Sequence, residues 1–236
     1  MRTWPVSGSP VEGGPSVIDG PDAKHIISVL RLEAGDQIRV FTETKKVFLA
    51  EITETSRNRV MLRILRETEA PGLRPPQVLL AVCAGKPQVM EVAVQKAVEL
   101  GCHGFFPLIT ERSEVVTPSK IERLRRIARE ACKQCGRAEP MELSDPVSPL
   151  ELPKEGFKLV LWEEERETTL RKALEQAEKP SQIILAVGPA GGFTSDEIGG
   201  MKAGGFVSAS FGPLILRTET AAISLVAVVN YHFNRM

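Results

Sequence analysis

The sequence predicts an α/β fold: a mostly parallel sheet with flanking helices over residues 77–236, preceded by a small β-barrel over residues 1–70. Three observations predict it. Short alternating apolar runs with turn residues between them fill the first part. Continuous apolar strands alternate with amphipathic helical patterns in the second. Between them, Ala70-Pro-Gly-Leu-Arg-Pro-Pro76 carries three prolines and a glycine, so 71–76 reads as a linker.

In the first part, Asp22 to Leu30 has the spacing of a short helix, with Ile26, Ile27 and Leu30 on its apolar stripe. Gln37 to Phe41, Val47 to Thr53 and Val60 to Leu65 alternate as strands, with Gly35-Asp36 and Ser56-Arg57-Asn58 supplying the turns. Beyond the linker, Val78 to Ala84 is a buried strand. Val89 to Leu100 is a helix that Gly101 ends, and Gly104 to Ile109 is a second strand. Thr117-Pro118 opens a helix with threonine at N-cap and proline at N1. It runs to about Gly136 and buries Ile121, Leu124, Ala128 and Ala131. Strands follow at Lys158 to Trp162, Ile183 to Val187 and Val207 to Phe211, and an apolar helix at Glu219 to Phe233 closes the chain.

Composition excludes several classes. With 30 basic and 30 acidic residues the net charge is zero, so nucleic-acid binding requires local clustering. No run is apolar for long enough to span a bilayer. The N-terminal stretch lacks the apolar core of a signal peptide, which places the chain in the cytoplasm without a membrane partner. Cys132 and Cys135 form a lone CxxC with no second ligand pair, so no metal is expected and the thiols read as buried and reduced. His25, His103 and His232 are isolated and read as structural. Glu163-Glu164-Glu165 reads as a solvated turn from which at most Glu163 reaches inward.

Two glycine loops carry the functional signal. Each leaves a buried strand and enters a helix: Gly188-Pro-Ala-Gly-Gly-Phe193, and Phe211-Gly-Pro-Leu-Ile-Leu-Arg217. The first has neither the Lys-Ser/Thr of a P-loop nor a GxGxxG spacing. Thr194 and Glu197 read as a capping box. Three glycines exceed what a helix entry needs, which indicates close backbone approach to a ligand at the carboxyl ends of parallel strands. Arg217 is a cation at a helix N-terminus, an unfavourable place that implies a partner, whereas Glu219 suits the helix dipole. The helix from Pro118 to Arg137 carries Lys120, Arg123, Arg125, Arg126, Arg129, Lys133 and Arg137 against two glutamates, with Arg123, Arg126, Lys133 and Arg137 on one face, a pattern suited to a phosphate backbone.

Six segments in order, HIISVLRLEAGDQIRVF (25–41), MEVAVQKAVELG (90–101), ERS (111–113), EACKQCGR (130–137), GPAGGFTSDEI (188–198) and FGPLILRTETAAI (211–223), resemble the bacterial ribosomal RNA small-subunit methyltransferase E family, which belongs to the SPOUT superfamily. The resemblance implies an RNA-binding PUA-like barrel at 1–70 and a SPOUT methyltransferase domain with a trefoil knot at 77–236. It implies a homodimer that uses S-adenosylmethionine to methylate N3 of a uridine in 16S ribosomal RNA, free or in the small subunit. Carried over residue by residue, it implies cofactor contacts from Leu161, Trp162 and Glu163, from Val187, Gly188, Pro189, Gly191 and Gly192, and from Phe211, Gly212, Leu214, Ile215, Leu216 and Thr218. Arg217 and Glu219 would be catalytic, Arg217 steadying the uracil carbonyl as the N3 proton leaves and Glu219 accepting or orienting. Arg2, Arg31, Lys86, Arg112 and Arg137 would hold RNA. The chain departs from the family at Ala190, where a glutamate is usual, and its N-terminal arginine cluster is reduced to Arg2. The rival readings are a related enzyme acting on a ribose 2′-hydroxyl or transfer RNA, a non-catalytic RNA-binding module, and a nucleotide hydrolase whose phosphate ligands are missing.

Overall fold

The computed structural model describes every residue except 1, 2, 43, 45, 70, 71 and 138. The chain divides into two compact units, one of residues 1–72 with 130–140 and one of 73–129 with 141–236.

The first unit is a curled sheet built from β1 (Thr3–Pro5), β2 (Pro15–Asp19), β3 (Gln37–Phe41), β4 (Val47–Ser56) and β5 (Arg59–Thr68), in the order β1-β3-β4-β5-β2. Its ladders are antiparallel apart from the β1–β3 pair. Alternation along β4 and β5 sends Phe48, Ala50 and Ile52 and then Val60, Leu62 and Ile64 into one core with Trp4, Ile18 and Val40. Register shifts at Leu49/Ala50 and Ile52/Glu54 add the twist that curls the sheet. The sequence reading did not resolve β1 and β2, because the segment is rich in Pro and Gly. Both lie at sheet edges, where Pro5 and Pro15 leave no central ladder bond unmade. The helix expected at 22–30 begins earlier, as α1 (Gly20–Lys24), and runs into a π-helical turn at His25–Val29 closed by the Leu30 amide on the His25 carbonyl. The wide turn keeps Ala23 and Ile26 fully buried.

The second unit is a sheet of six described strands in the order β11-β9-β10-β6-β7-β8, with every described ladder parallel. The strands are β6 (Gln77–Cys83), β7 (Gly104–Leu108), β8 (Glu142–Leu143), β9 (Phe157–Leu161), β10 (Gln182–Val187) and β11 (Phe206–Ala209). The interleaved helices are α2 (Pro87–Glu99), α3 (Pro118–Cys135), α4 (Leu170–Glu175), α5 (Ser195–Ala203) and α6 (Thr218–His232). Gly101 takes φ 75° just past α2, as a C-terminal cap requires. Thr117 Oγ1 accepts the Lys120 amide at 3.4 Å and opens α3. After edge strand β11, α6 returns to pack on α2, β10 and β6. Asn230 donates to the Leu100 carbonyl at 2.6 Å, satisfying an acceptor that the end of α2 leaves open.

From Glu130 onward α3 groups with the first unit, where Lys133 pairs with Asp22 at 2.8 Å. No described helix is long and apolar enough to cross a membrane.

Candidate functional site

Parallel pairing sends the carboxyl ends of β9, β10 and β11, three neighbours in the sheet, to the same side. The loops that leave them, after Leu161, Val187 and Ala209, enclose a cavity of about 380 Å³. Of the cofactor contacts expected from sequence, Leu161, Trp162, Glu163, Val187, Gly188, Pro189, Gly192, Phe211, Gly212, Leu214, Ile215, Leu216 and Thr218 line it, and Gly191 does not. The lining also includes Glu164, Arg166, Ala190, Ser210, Pro213 and Ala221. Arg166 and Ser210 carried no signal in the sequence. Each enters because the Thr168 carbonyl accepts the Ser210 amide and Ser210 accepts Leu170, folding the 162–169 segment onto the end of β11.

The glycine loop is fixed at both ends. The expected capping box is present: Thr194 Oγ1 accepts the Glu197 amide at 3.2 Å, and Glu197 Oε2 accepts the Thr194 amide at 2.9 Å. The other Glu197 oxygen accepts the Glu111 amide at 2.9 Å. At the opposite end Thr218 Oγ1 donates to the Gly188 carbonyl at 3.1 Å, joining this loop to the start of α6. Gly192 has φ 72°, and a β-carbon there would overlap the Glu163 carboxylate. Glu163 therefore lies against backbone that only glycine leaves open. Its carboxylate has no hydrogen bond or ion pair among the described residues.

Arg217 is the N-cap of α6 and is exposed, without a side-chain hydrogen bond or ion pair among the described residues. Glu219 lies in the first turn and is half-buried. Their neighbours Leu216 and Thr218 line the cavity, so both residues flank it at the helix entry.

The acid run corrects the sequence reading. Glu163 borders the cavity as expected, but Glu165 is buried at 8 % exposure and is no solvated turn residue. Its carboxylate accepts from the Ser208 hydroxyl, from the Glu167 amide at 3.0 Å and from the Thr168 amide at 3.3 Å, with Lys202 Nζ at 3.5 Å. The Ser208 hydrogen bond leads in holding its pKa down at about 2, from an ordinary 4.5. A carboxyl with a folded pKa below its unfolded value stabilises the fold at neutral pH, and that contribution is lost as pH falls from about 4.5 to about 2. Glu165→Gln is expected to cost roughly 1–3 kcal/mol at pH 7 and to narrow its gap to wild type below pH 4. Urea melts over that range measure both. Lys202 also stands over the Trp162 ring at 5.3 Å, and Trp162 Nε1 is buried without a protein acceptor among the described residues.

Most of the expected basic surface is engaged within the chain. Arg123 pairs with Glu91, Arg125 with Glu122 and Asp145, and Lys133 with Asp22 and Glu130. Arg137 is buried at 6 %, with its guanidinium donating to the Glu139 carbonyl, so the expectation of an exposed phosphate ligand there is corrected. Gly136, just past the end of α3, has φ 78°. Arg31, Lys86, Arg126 and Arg129 are exposed. Arg112 is exposed too, and its Nη1 donates to the Gly191 carbonyl at 2.5 Å. Arg2 lies outside the described residues.

The CxxC is half as expected: Cys132 is buried, but Cys135 is exposed at the last residue of α3. Burial pushes the Cys83 thiol up to about 12, which keeps it protonated and unreactive. His103 Nδ1 accepts the Val78 amide at 3.2 Å, and His25 packs on Trp4, both structural roles. No group of three or more potential metal ligands occurs among the described residues.

Residues 73–230 match the RNA methyltransferase domain family and residues 18–65 the RNA methyltransferase PUA domain family. The chain is 32 % identical over 208 residues to the ribosomal RNA small subunit methyltransferase E of Rickettsia conorii, covering 87 % of this chain and 84 % of that protein. It is 31 % identical to the protein of the same name from Aquifex aeolicus, covering 88 % and 90 %. Among solved structures, the ribosomal RNA small subunit methyltransferase E of Neisseria gonorrhoeae bound to S-adenosylmethionine is similar at a TM-score of 0.86, with 26 % identity and coverage of 98 % and 97 %. The parallel sheet, its three cavity loops and these likenesses agree, and the chain belongs to the ribosomal RNA small subunit methyltransferase E family.

Proposed function

We propose that the cavity holds S-adenosylmethionine and that the protein is a methyltransferase of small-subunit ribosomal RNA acting on N3 of a uridine. The observation that carries this is the convergence of three loops, from adjacent parallel strands, on one cavity lined mostly by glycine, proline and apolar residues. Its size falls in the range of about 300–1,000 Å³ usual for small-molecule sites.

The residues fit this cofactor. Glu163 and Glu164 bring carboxylates to the cavity, suited to a cation, and Glu163 has no partner among the described residues; Arg166 is the one basic residue in the described lining. Leu161, Trp162, Glu163, Val187, Gly188, Pro189, Gly192, Phe211, Gly212, Leu214, Ile215, Leu216 and Thr218 would hold it, with Gly191 acting from behind the loop. When bound, S-adenosylmethionine supplies an electrophilic methyl group on a sulfonium centre. Arg217 steadies negative charge on the uracil carbonyl as N3 loses its proton, and Glu219 accepts or orients that proton. The apolar step Leu214–Leu216 would exclude water once a partner subunit covers it.

Residues 1–70 serve as the RNA-binding PUA-like domain, 71–76 as the linker and 77–236 as the catalytic domain. Arg31, Lys86 and the free donors of Arg112 bind RNA phosphate. The catalytic domain is knotted where the chain passes from β11 through the 211–217 loop into α6, a reading supported by the return of α6 from the sheet edge to β10 and β6. The active form is a homodimer, which would cover the exposed Leu214, Ile215 and Tyr231, at 76 %, 87 % and 80 % exposure. A cytoplasmic location follows from the substrate.

Two measurements test this reading. Mass mapping of small-subunit RNA made with and without the protein is expected to show one uridine carrying an N3 methyl. Methylation of a ribose hydroxyl, or of transfer RNA alone, decides for the related enzymes instead. Calorimetry is expected to show S-adenosylmethionine binding, and Gly192→Ala to weaken it by about tenfold or more, because its β-carbon strains a positive φ and displaces Glu163. Unchanged affinity in that variant removes the glycine loop from the site.

A further inference from the structure

We infer that Arg112 is a positioning residue of the glycine loop, and that by holding the Gly191 carbonyl it sets the affinity of the cavity for its ligand; this rests on the cofactor reading above. Gly191 is the one expected cofactor contact that does not line the cavity, and Arg112 holds its carbonyl. Arg112 Nη1 donates to the Gly191 carbonyl at 2.5 Å, and a β-carbon built on Gly191 would lie 3.3 Å from Arg112 Cδ. The aliphatic stem thus runs along the outer side of the loop while the guanidinium pins its main chain.

A second tie joins the same two segments. Glu197 accepts both the Thr194 amide, at the end of the glycine loop, and the Glu111 amide, each at 2.9 Å. The 110–113 turn is in turn anchored on the sheet. Ser113 Oγ donates to the Thr110 carbonyl at 2.9 Å, the Glu114 amide donates to the Ala84 carbonyl at 2.8 Å, and the Ile109 amide donates to the Val147 carbonyl at 2.9 Å. Rigidity therefore passes from the ends of β6 and β7 through this turn to the loop that walls the cavity.

A loop with consecutive glycines samples many conformations, and ordering it upon binding opposes affinity. An external charged donor on its main chain reduces that opposition before any ligand arrives. Because Arg112 is exposed and its other guanidinium donors have no partner among the described residues, the same side chain stays free to meet an RNA phosphate. The two roles are separable by experiment.

The test uses the full chain without RNA. S-adenosylmethionine is titrated calorimetrically into wild type, Arg112→Ala and Arg112→Lys, and amide hydrogen exchange over 189–194 and thermal melting are recorded on the ligand-free proteins. The expected result is about tenfold weaker binding in Arg112→Ala, faster exchange confined to the loop, an unchanged melting temperature and partial recovery in Arg112→Lys. Unchanged affinity and exchange in Arg112→Ala, with loss only of RNA affinity and its salt slope, overturns the inference and leaves Arg112 a phosphate contact. A fall in melting temperature that matches the loss of affinity also overturns it. Wild-type protein that takes up no S-adenosylmethionine overturns the cofactor reading, and the exchange comparison then decides alone whether Arg112 holds the loop.

Discussion

Arg217→Ala is expected to lower methyl transfer by about a hundredfold with both substrates saturating, while donor affinity stays within about threefold of wild type. A cation at the N-cap of α6 faces the positive end of the dipole, and Arg217 has no compensating partner among the described residues. Stability does not account for it there, so its removal leaves the melting temperature unchanged or slightly raised. Its place beside Leu216 and Thr218 at the cavity rim suits contact with an incoming base. Incorporation of labelled methyl groups into small-subunit RNA measures the effect, and a rate within about threefold of wild type takes Arg217 out of the chemistry. Glu219→Gln separates the second role: unchanged methylation at saturating donor means that Glu219 is not the base.

The largest effect on stability is expected from Ile184→Ala. Ile184 is fully buried in β10, between β9 and β6, and packs in the cluster that holds Leu79, Val160, Phe193, Ile198 and Met201. Truncation removes buried apolar volume that strands fixed on both sides cannot refill, and costs about 2–5 kcal/mol. A urea melt would register this as a lower midpoint with an unchanged slope. Because Phe193 closes the glycine loop against the same cluster, donor affinity is expected to fall as well. A midpoint shifted by less than about 1 kcal/mol equivalent would mean that the sheet relaxes around the gap.

Much of the second unit was legible because its strands are buried on both faces and read as continuous apolar runs. Val78 to Ala84 and Ile183 to Val187 each fall within one residue of the observed strand. Cap chemistry was legible for the same local reason: Thr117-Pro118, Thr194 with Glu197, and Gly101 each act within one turn. Long-range pairings were not. Nothing in Glu163-Glu164-Glu165 distinguishes the acid that will meet Ser208, 43 positions away, from its solvated neighbours. The basic face of α3 was visible as a pattern, but its partners Glu91, Asp145 and Asp22 lie on other elements. A charge stripe counted along one helix thus overstated the surface left for RNA. Of the site, the glycines and the apolar step of 211–216 were readable, whereas Arg166 and Ser210 enter through the fold of the 162–169 segment.

The small sheet of the first unit ends in β1 and β2, and each carries an imino acid, Pro5 and Pro15. Such margins present an interrupted row of amide donors to any foreign strand. A concentrated preparation is accordingly protected at both rims against the edge-to-edge growth by which open β-structures precipitate.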